Sequence, residues 1–205
     1  MVSKVLKCAL ALGVYTTQMS KMVGPNGTVI AFEPTEKFHT CLTRNLELNG
    51  CRNVVLNKLI VSDQVGSHEI SISDQTASIN LLSDCPHKET IASTTLDAHL
   101  RDVASLSLIK IDVDGWDFHV LNGAQLVIQR HQPVIIVECT RGEHSEPQDI
   151  LQLLTKLDYI VYMDSDRKKE LPLSSVEFEH LSKSQNSFNV IAYHEQSLGH
   201  GERKQ

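Results

Sequence analysis

Leu108 to Ala124, LIKIDVDGWDFHVLNGA, decides the fold. Ile109, Ile111 and Val113 make a short β-branched apolar run, and Asp112, Asp114 and Gly115 break it. From Trp116 onward, Phe118, Leu121, Ala124 and Ile128 recur on one helical face. The stretch therefore predicts a strand, a tight acidic turn, and a helix from Trp116 to about Arg130. In open parallel sheets such turns stand at the carboxyl ends of strands, where ligands bind, so carboxylates there are candidates for work on a ligand. Asp112 or Asp114 could equally cap the helix, since Asp is favoured just before a first turn.

The same alternation extends in both directions. Thr17 to Val23 reads as a helix stopped by Gly24, Pro25, Asn26 and Gly27, and Thr28 to Phe32 as a buried strand closed by Glu33 and Pro34. Thr35 caps a helix running to about Leu48, with Phe38, Leu42 and Leu46 one turn apart. Asn53 to Val61 is the next predicted strand, Gly66 to Ser73 a short β-ribbon, and Asp74 to Ile91 a loop over the site. Thr94 or Thr95 opens a short helix through Leu100. Beyond the opening stretch, Val134 to Val137 forms a strand ending in Glu138, and Glu146 to Leu157 an amphipathic helix. Tyr159 to Met163 and Phe188 to Tyr193 are further strands, separated by a charged excursion with one short helix. Strands alternating with helices make a doubly wound α/β domain over residues 1–194, and 195–205 is expected to be a disordered tail.

Composition limits the function. The apolar fraction of 41% and charged fraction of 21% are those of an ordinary globular chain. A net charge of -6 without a basic cluster argues against nucleic acid as partner. The longest apolar run is far short of the roughly 20 residues that cross a bilayer. Five cysteines without CxxC spacing suggest neither a disulfide framework nor zinc, and fit a reduced cytoplasmic protein. Scattered histidines with no HExxH predict no metal, and the absence of GxSxG argues against an α/β-hydrolase. Glu33 follows Gly13 by 20 positions, the separation at which a dinucleotide-type fold places an acid on ribose hydroxyls, but the full GxGxxG of a nicotinamide dehydrogenase is missing.

The opening stretch resembles the IKIDVEG signature of the FkbM family of S-adenosylmethionine-dependent methyltransferases, with Asp114 where that family usually has Glu. TVIAFEPTEKF (28–38), NLELNGCRNV (45–54), VSDQVG (61–66), TTLDAHL (94–100) and QPVIIVE (132–138) resemble further blocks in family order. The resemblance implies a Rossmann-like class I methyltransferase sheet of seven strands with the last antiparallel. It implies S-adenosylmethionine as cofactor, bound by Gly13, Tyr15, Glu33, Pro34, Ser62, Asp63 and Asp112: Glu33 on the ribose, Ser62 and Asp63 at the adenine. It also implies transfer to a hydroxyl of a small molecule or sugar, with Asp112 orienting or deprotonating the acceptor and Glu138 second in line. No nucleic acid, membrane or metal enters, and the oligomeric state is left open.

The chain departs from the family in one region. The glycine-rich turn of the type DVGANIGYYT is here Lys7 to Thr16, KCALALGVYT, keeping only Gly13, Tyr15 and Thr16. Lys7 stands where the family has an acid, Leu10 where a cofactor would want bare backbone, and Trp116 where a small residue is usual. The family's customary helix before the first strand is also missing, so the expectation is either a truncated start or a decayed motif. An alternative follows: a non-catalytic methyltransferase-fold protein acting as a binding or assembly partner.

Overall fold

The computed structural model describes residues 4–9, 14–72, 77–78, 88–141, 146–164 and 172–198. In chain order the elements are β1 (Lys4–Ala9), α1 (Val14–Met22), β2 (Thr28–Phe32), α2 (Glu36–Leu48), β3 (Val54–Asn57), β4 (Ile60–Val61), β5 (Gly66–Ile72), β6 (Ala77–Ser78) and β7 (Lys88–Thr94). There follow α3 (Leu96–His99), β8 (Leu108–Asp112), α4 (Asp117–Asn122), α5 (Gln125–His131), β9 (Val134–Thr140), α6 (Pro147–Lys156), β10 (Tyr159–Met163), α7 (Ser175–Ser184), β11 (Ser187–His194) and α8 (Glu195–Leu198).

Seven strands form one sheet in the order β10-β11-β9-β8-β1-β2-β3. All neighbours are parallel except β11, which runs antiparallel to both β9 and β10. The architecture is the doubly wound α/β fold expected, with its antiparallel last strand. From β1 the chain winds one way to β2 and β3, whereas β8 and β9 lie on the other side, so the winding reverses between β1 and β8. Ligands bind outside the carboxyl ends of strands at such a switch point.

Period-two alternation sorts the side chains. Ile109 and Ile111 of β8, Ile135 and Val137 of β9, and Ile30 and Phe32 of β2 belong to one core with Leu96, Leu121, Ile128, Ile150 and Leu154 from the helices. Each such side chain contributes on the order of 1.5–3 kcal/mol of burial. Lys110 and Asp112, the intervening residues, take the opposite face. Local chemistry starts the helices where predicted: Thr35 Oγ1 accepts from Phe38 N, Thr95 Oγ1 from Ala98 N, and Glu146 and Asp149 form a capping box on α6.

Several expectations are corrected. The predicted helix from Trp116 to Arg130 is two helices, α4 and α5, broken at Gly123 and Ala124. A Cβ on Gly123 would lie 2.2 Å from Ser62 O, so backbone packs on backbone there. Asp97 restarts the chain by accepting from Leu126 N and Val127 N. The predicted strand 53–61 divides: β3 extends the main sheet, while β4 pairs with β7 in a second sheet of order β4-β7-β5-β6. Ile60 thereby joins Phe38, Ile70, Ile72 and Ile91 in a small separate core.

The expected loop from Asp74 to Ile91 enters a strand at Lys88, because β7 pairs with β5 and turns Ile91 inward; 73–76 and 79–87 lie outside the described residues. The strand expected over Val134–Val137 continues to Thr140, since β11 pairs with it through Ser187↔Thr140. Glu195–Leu198 of the expected tail forms the short helix α8, its first amide bonded to Asp158 O at 2.9 Å. Residues 199–205 lie outside the description. No helix among the described residues is long and apolar enough to cross a membrane.

Candidate active site at the strand tips

The tip of β2 carries Glu33, and its side chain is fully buried. Glu33 N donates to Asn57 O of β3 at 3.0 Å, which holds the backbone at the sheet edge. Oε1 accepts from Thr35 N at 3.1 Å and Thr35 Oγ1 at 2.9 Å. The same Thr35 oxygen caps α2, so the carboxylate and the helix start are one unit. Pro34 between them is buried. A carboxylate has about four lone-pair sites, so a Glu33 engaged in this way retains the chemistry to accept from a diol.

At the switch point Lys110 is 5% exposed, yet it lies on the face away from the apolar core. Its Nζ donates to Asp112 Oδ2 at 2.6 Å and stands 4.7 Å from the centre of the Tyr15 ring. The register sets Lys7 of β1 level with Lys110, and Ala9 level with Asp112. Tyr15 lies in the first turn of α1 and is half exposed, with its ring set against Lys110 Nζ. Gly13 and Leu10 lie outside the described residues.

The acidic turn after β8 is built by a residue that the sequence reading passed over. Asp117 is buried, accepting from Val113 N and Gly115 N, both at 3.1 Å. It closes the turn from inside the helix. Asp112 is turned to Lys110, Asp114 is exposed with φ at 51°, and the N-cap position of α4 is Trp116, whose side chain makes no cap hydrogen bond. Burial pushes the Asp117 carboxyl up to about 7, and the charges of Glu138 and Asp112 add to the rise. Glu138, on β9, is raised too, first by burial and then by the carboxylates of Asp112 and Asp114. The negative charge of this side of the crevice is therefore crowded.

A second group ties the loop after β4 to the start of α4. Trp116 Nε1 donates to Ser62 Oγ at 3.1 Å, and His119 Nδ1 is 3.0 Å from Asp63 Oδ2. The Trp116 and His119 rings stack with centroids 4.0 Å apart, and His68 meets Trp116 edge-on. Burial raises the Asp63 carboxyl, but the hydrogen bond and charge of His119, with the Ser62 hydroxyl, outweigh it and leave it low. Ser62 and Asp63 thus stand together as a pair, already engaged by α4. The sequence offered WxxH at helical spacing as a signal for this contact, though nothing local says which loop it meets.

Among the described residues no group of three or more His, Cys, Asp or Glu could hold a metal ion. A separate cleft of about 440 Å³ lies at the amino ends of β2 and β3, lined by Ser20, Lys21, Asn49, Cys51 and Arg52 among others, remote from the strand tips.

The model of the methyltransferase FkbM domain matches residues 8–161. Solved structures are similar at low identity. A methyltransferase FkbM from Methylobacillus flagellatus superposes with TM-score 0.58 and 14% identity, over 94% of this chain and 44% of that one. A putative methyltransferase from Streptococcus mutans, solved in complex with SAH, gives TM-score 0.54 and 13% identity over 93% of this chain and 88% of that one. A SAM-dependent O-methyltransferase from Thermotoga maritima gives 0.51 and 13% over 93% and 58%. This chain thus spans less than half the length of the Methylobacillus flagellatus structure. Comparison with curated protein sequences found no significant match.

Proposed function

The chain belongs to the FkbM methyltransferase domain family, and from that membership we propose that it transfers the methyl group of S-adenosylmethionine to a hydroxyl of a small molecule or sugar, in the cytoplasm. The observation that carries the reading is Glu33: a fully buried carboxylate at the tip of the strand beside the switch point, held by Thr35. The donor set suits the cofactor. Glu33 offers oxygen to two ribose hydroxyls, Tyr15 flanks the crevice, Pro34 packs the tip, and Asp112 offers negative charge to an ammonium. When bound, the cofactor supplies an electrophilic methyl on a positively charged sulfur.

The chain's own contribution is chiefly position. An in-line displacement gains most of its rate from holding the nucleophile opposite the leaving group, and proton removal contributes less, often about 10²- to 10⁴-fold. Asp112 orients the acceptor hydroxyl or takes its proton. Glu138, raised above the ordinary carboxylate range by burial and then by Asp112 and Asp114, is the second acid proposed for that proton.

A non-catalytic reading is favoured by one observation: Ser62 and Asp63, the residues proposed for the adenine, are already engaged by Trp116 and His119. Calorimetric titration with S-adenosylmethionine and S-adenosylhomocysteine separates the two. The transferase reading expects micromolar binding that Glu33→Ala abolishes. Absent or millimolar binding to the unaltered protein selects the assembly partner.

A further inference from the structure

The start of α4 covers the loop after β4, and the covering ring has the chemistry of the base proposed for that loop. Trp116 is half-buried and donates from Nε1 to Ser62 Oγ at 3.1 Å. Ser62 Oγ in turn donates to Asp63 Oδ1 at 3.2 Å. His119 lies flat on the indole, with ring centroids 4.0 Å apart and planes 21° from parallel, and its Nδ1 is 3.0 Å from Asp63 Oδ2. His68 of β5 meets the indole edge-on. Beneath this cover Ser62 is fully buried.

We propose that Trp116 is an internal stand-in for adenine, a gate whose indole closes the base end of the cofactor site and swings out when the nucleoside enters. The inference rests on the cofactor binding proposed above and adds a control on it. Indole and adenine are both flat fused bicycles, and each can give an N–H to a hydroxyl while presenting a face to a neighbouring ring. A hydroxyl buried beneath one such ring is closed to the other. The gate can move without unravelling the helix it starts. The Trp116 side chain makes no cap hydrogen bond, and the turn before it is held by Asp117, which accepts from Val113 N and Gly115 N. Rotation of the indole therefore gives up one hydrogen bond and its ring contacts and leaves that turn in place. The closed form also carries a cost of its own: His119 Nε2 is buried with no hydrogen-bond partner among the described residues. Affinity for the nucleoside falls by the fraction of molecules that stand open, so an open form of about one molecule in ten weakens binding about tenfold.

Trp116 is the chain's one tryptophan, so its fluorescence reports the gate directly. Saturating the unaltered protein with S-adenosylhomocysteine is expected to shift the emission to longer wavelength as the ring leaves its stack, whereas S-ribosylhomocysteine, which lacks the base, leaves it unchanged. By calorimetry Trp116→Ala binds S-adenosylhomocysteine at least about tenfold more tightly than the unaltered protein and S-ribosylhomocysteine no more tightly. Trp116→Phe, which keeps a ring but gives up the N–H, gains less. Circular dichroism and thermal unfolding check that each variant is folded, and the emission shift needs no variant. An unshifted emission at saturation, unchanged or weaker S-adenosylhomocysteine binding in Trp116→Ala, or an equal gain for the two ligands overturns the gate and leaves the cofactor site standing. Failure of the unaltered protein and of Trp116→Ala alike to bind either ligand overturns the site and the gate together.

Discussion

Glu33 and Glu138 look alike in sequence, each an acid after a buried apolar run, IAFE and IIVE. In space they are opposites. Glu33 ends its strand, because Pro34 and Thr35 turn the chain into α2 and Thr35 locks the carboxylate. Glu138 does not end its strand; β9 continues to Thr140 along β11 and leaves the side chain half-buried among Asp112 and Asp114. One acid is fixed by hydrogen bonds made with its own turn, the other is strained by neighbouring charges. The difference teaches that an acid at a strand's apparent end is locked into its own turn when the next residues cap a helix, and is left to the charges of its neighbours when the strand runs on.

The strained side can be broken most visibly at Asp117. Its folded value of about 7 lies above the ordinary 3.8, so the native state favours the protonated form. Its contribution to stability is full below pH 4 and is lost as the pH rises through 7, amounting to about 4 kcal/mol at most for a shift of this size. Asp117→Asn gives up one of two backbone hydrogen bonds, about 1 kcal/mol, yet escapes the titration. Urea unfolding from pH 4 to 8 should show the variant weaker in acid and stronger in base, the two curves crossing. Parallel curves would contradict the picture of crowded charge.

The locked side is tested by Thr35→Val. That change removes the cap of α2 and the hydroxyl donor to a buried carboxylate, for a loss of about 2–3 kcal/mol. The loss should be nearly independent of salt, and a loss below about 0.5 kcal/mol, the range of ordinary surface substitutions, would mean that Thr35 does not hold Glu33. Smallest is Glu138→Gln. Because its folded value is raised, Glu138 contributes stability at low pH that fades as the pH climbs, so the variant matches the parent in acid and gains slightly above neutrality. A loss above neutrality would put Glu138 in a favourable ion pair and dissolve the contrast with Glu33.

What was legible in the chain was local. Thr35 before an amphipathic run, and the β-branched runs of β2, β8 and β10, carry their own reasons, so those elements fall where the pattern puts them. What escaped was tertiary. The break between α4 and α5 depends on Ser62 O pressing against Gly123, 61 residues away in sequence. β7 alternates too weakly in KETIAST to declare itself without its partner β5. The Lys110–Asp112 pair was in principle readable, since residues two apart share a face of a strand, but Ile109 and Ile111 on the other face carry the stronger apolar signal. Asp117 gave no signal of its own, because an acid in a first helical turn is ordinary until its burial is known.

The central claim is that the Glu33 carboxylate grips a ribose diol, and affinity for S-adenosylhomocysteine against its 2′-deoxy analogue, in the unaltered protein and in Glu33→Gln, tests it most directly. The account predicts at least about a tenfold preference for the ribose form, the penalty for leaving a buried carboxylate short of a donor, and its disappearance in Glu33→Gln. Equal affinity for the two nucleosides in the unaltered protein would contradict it.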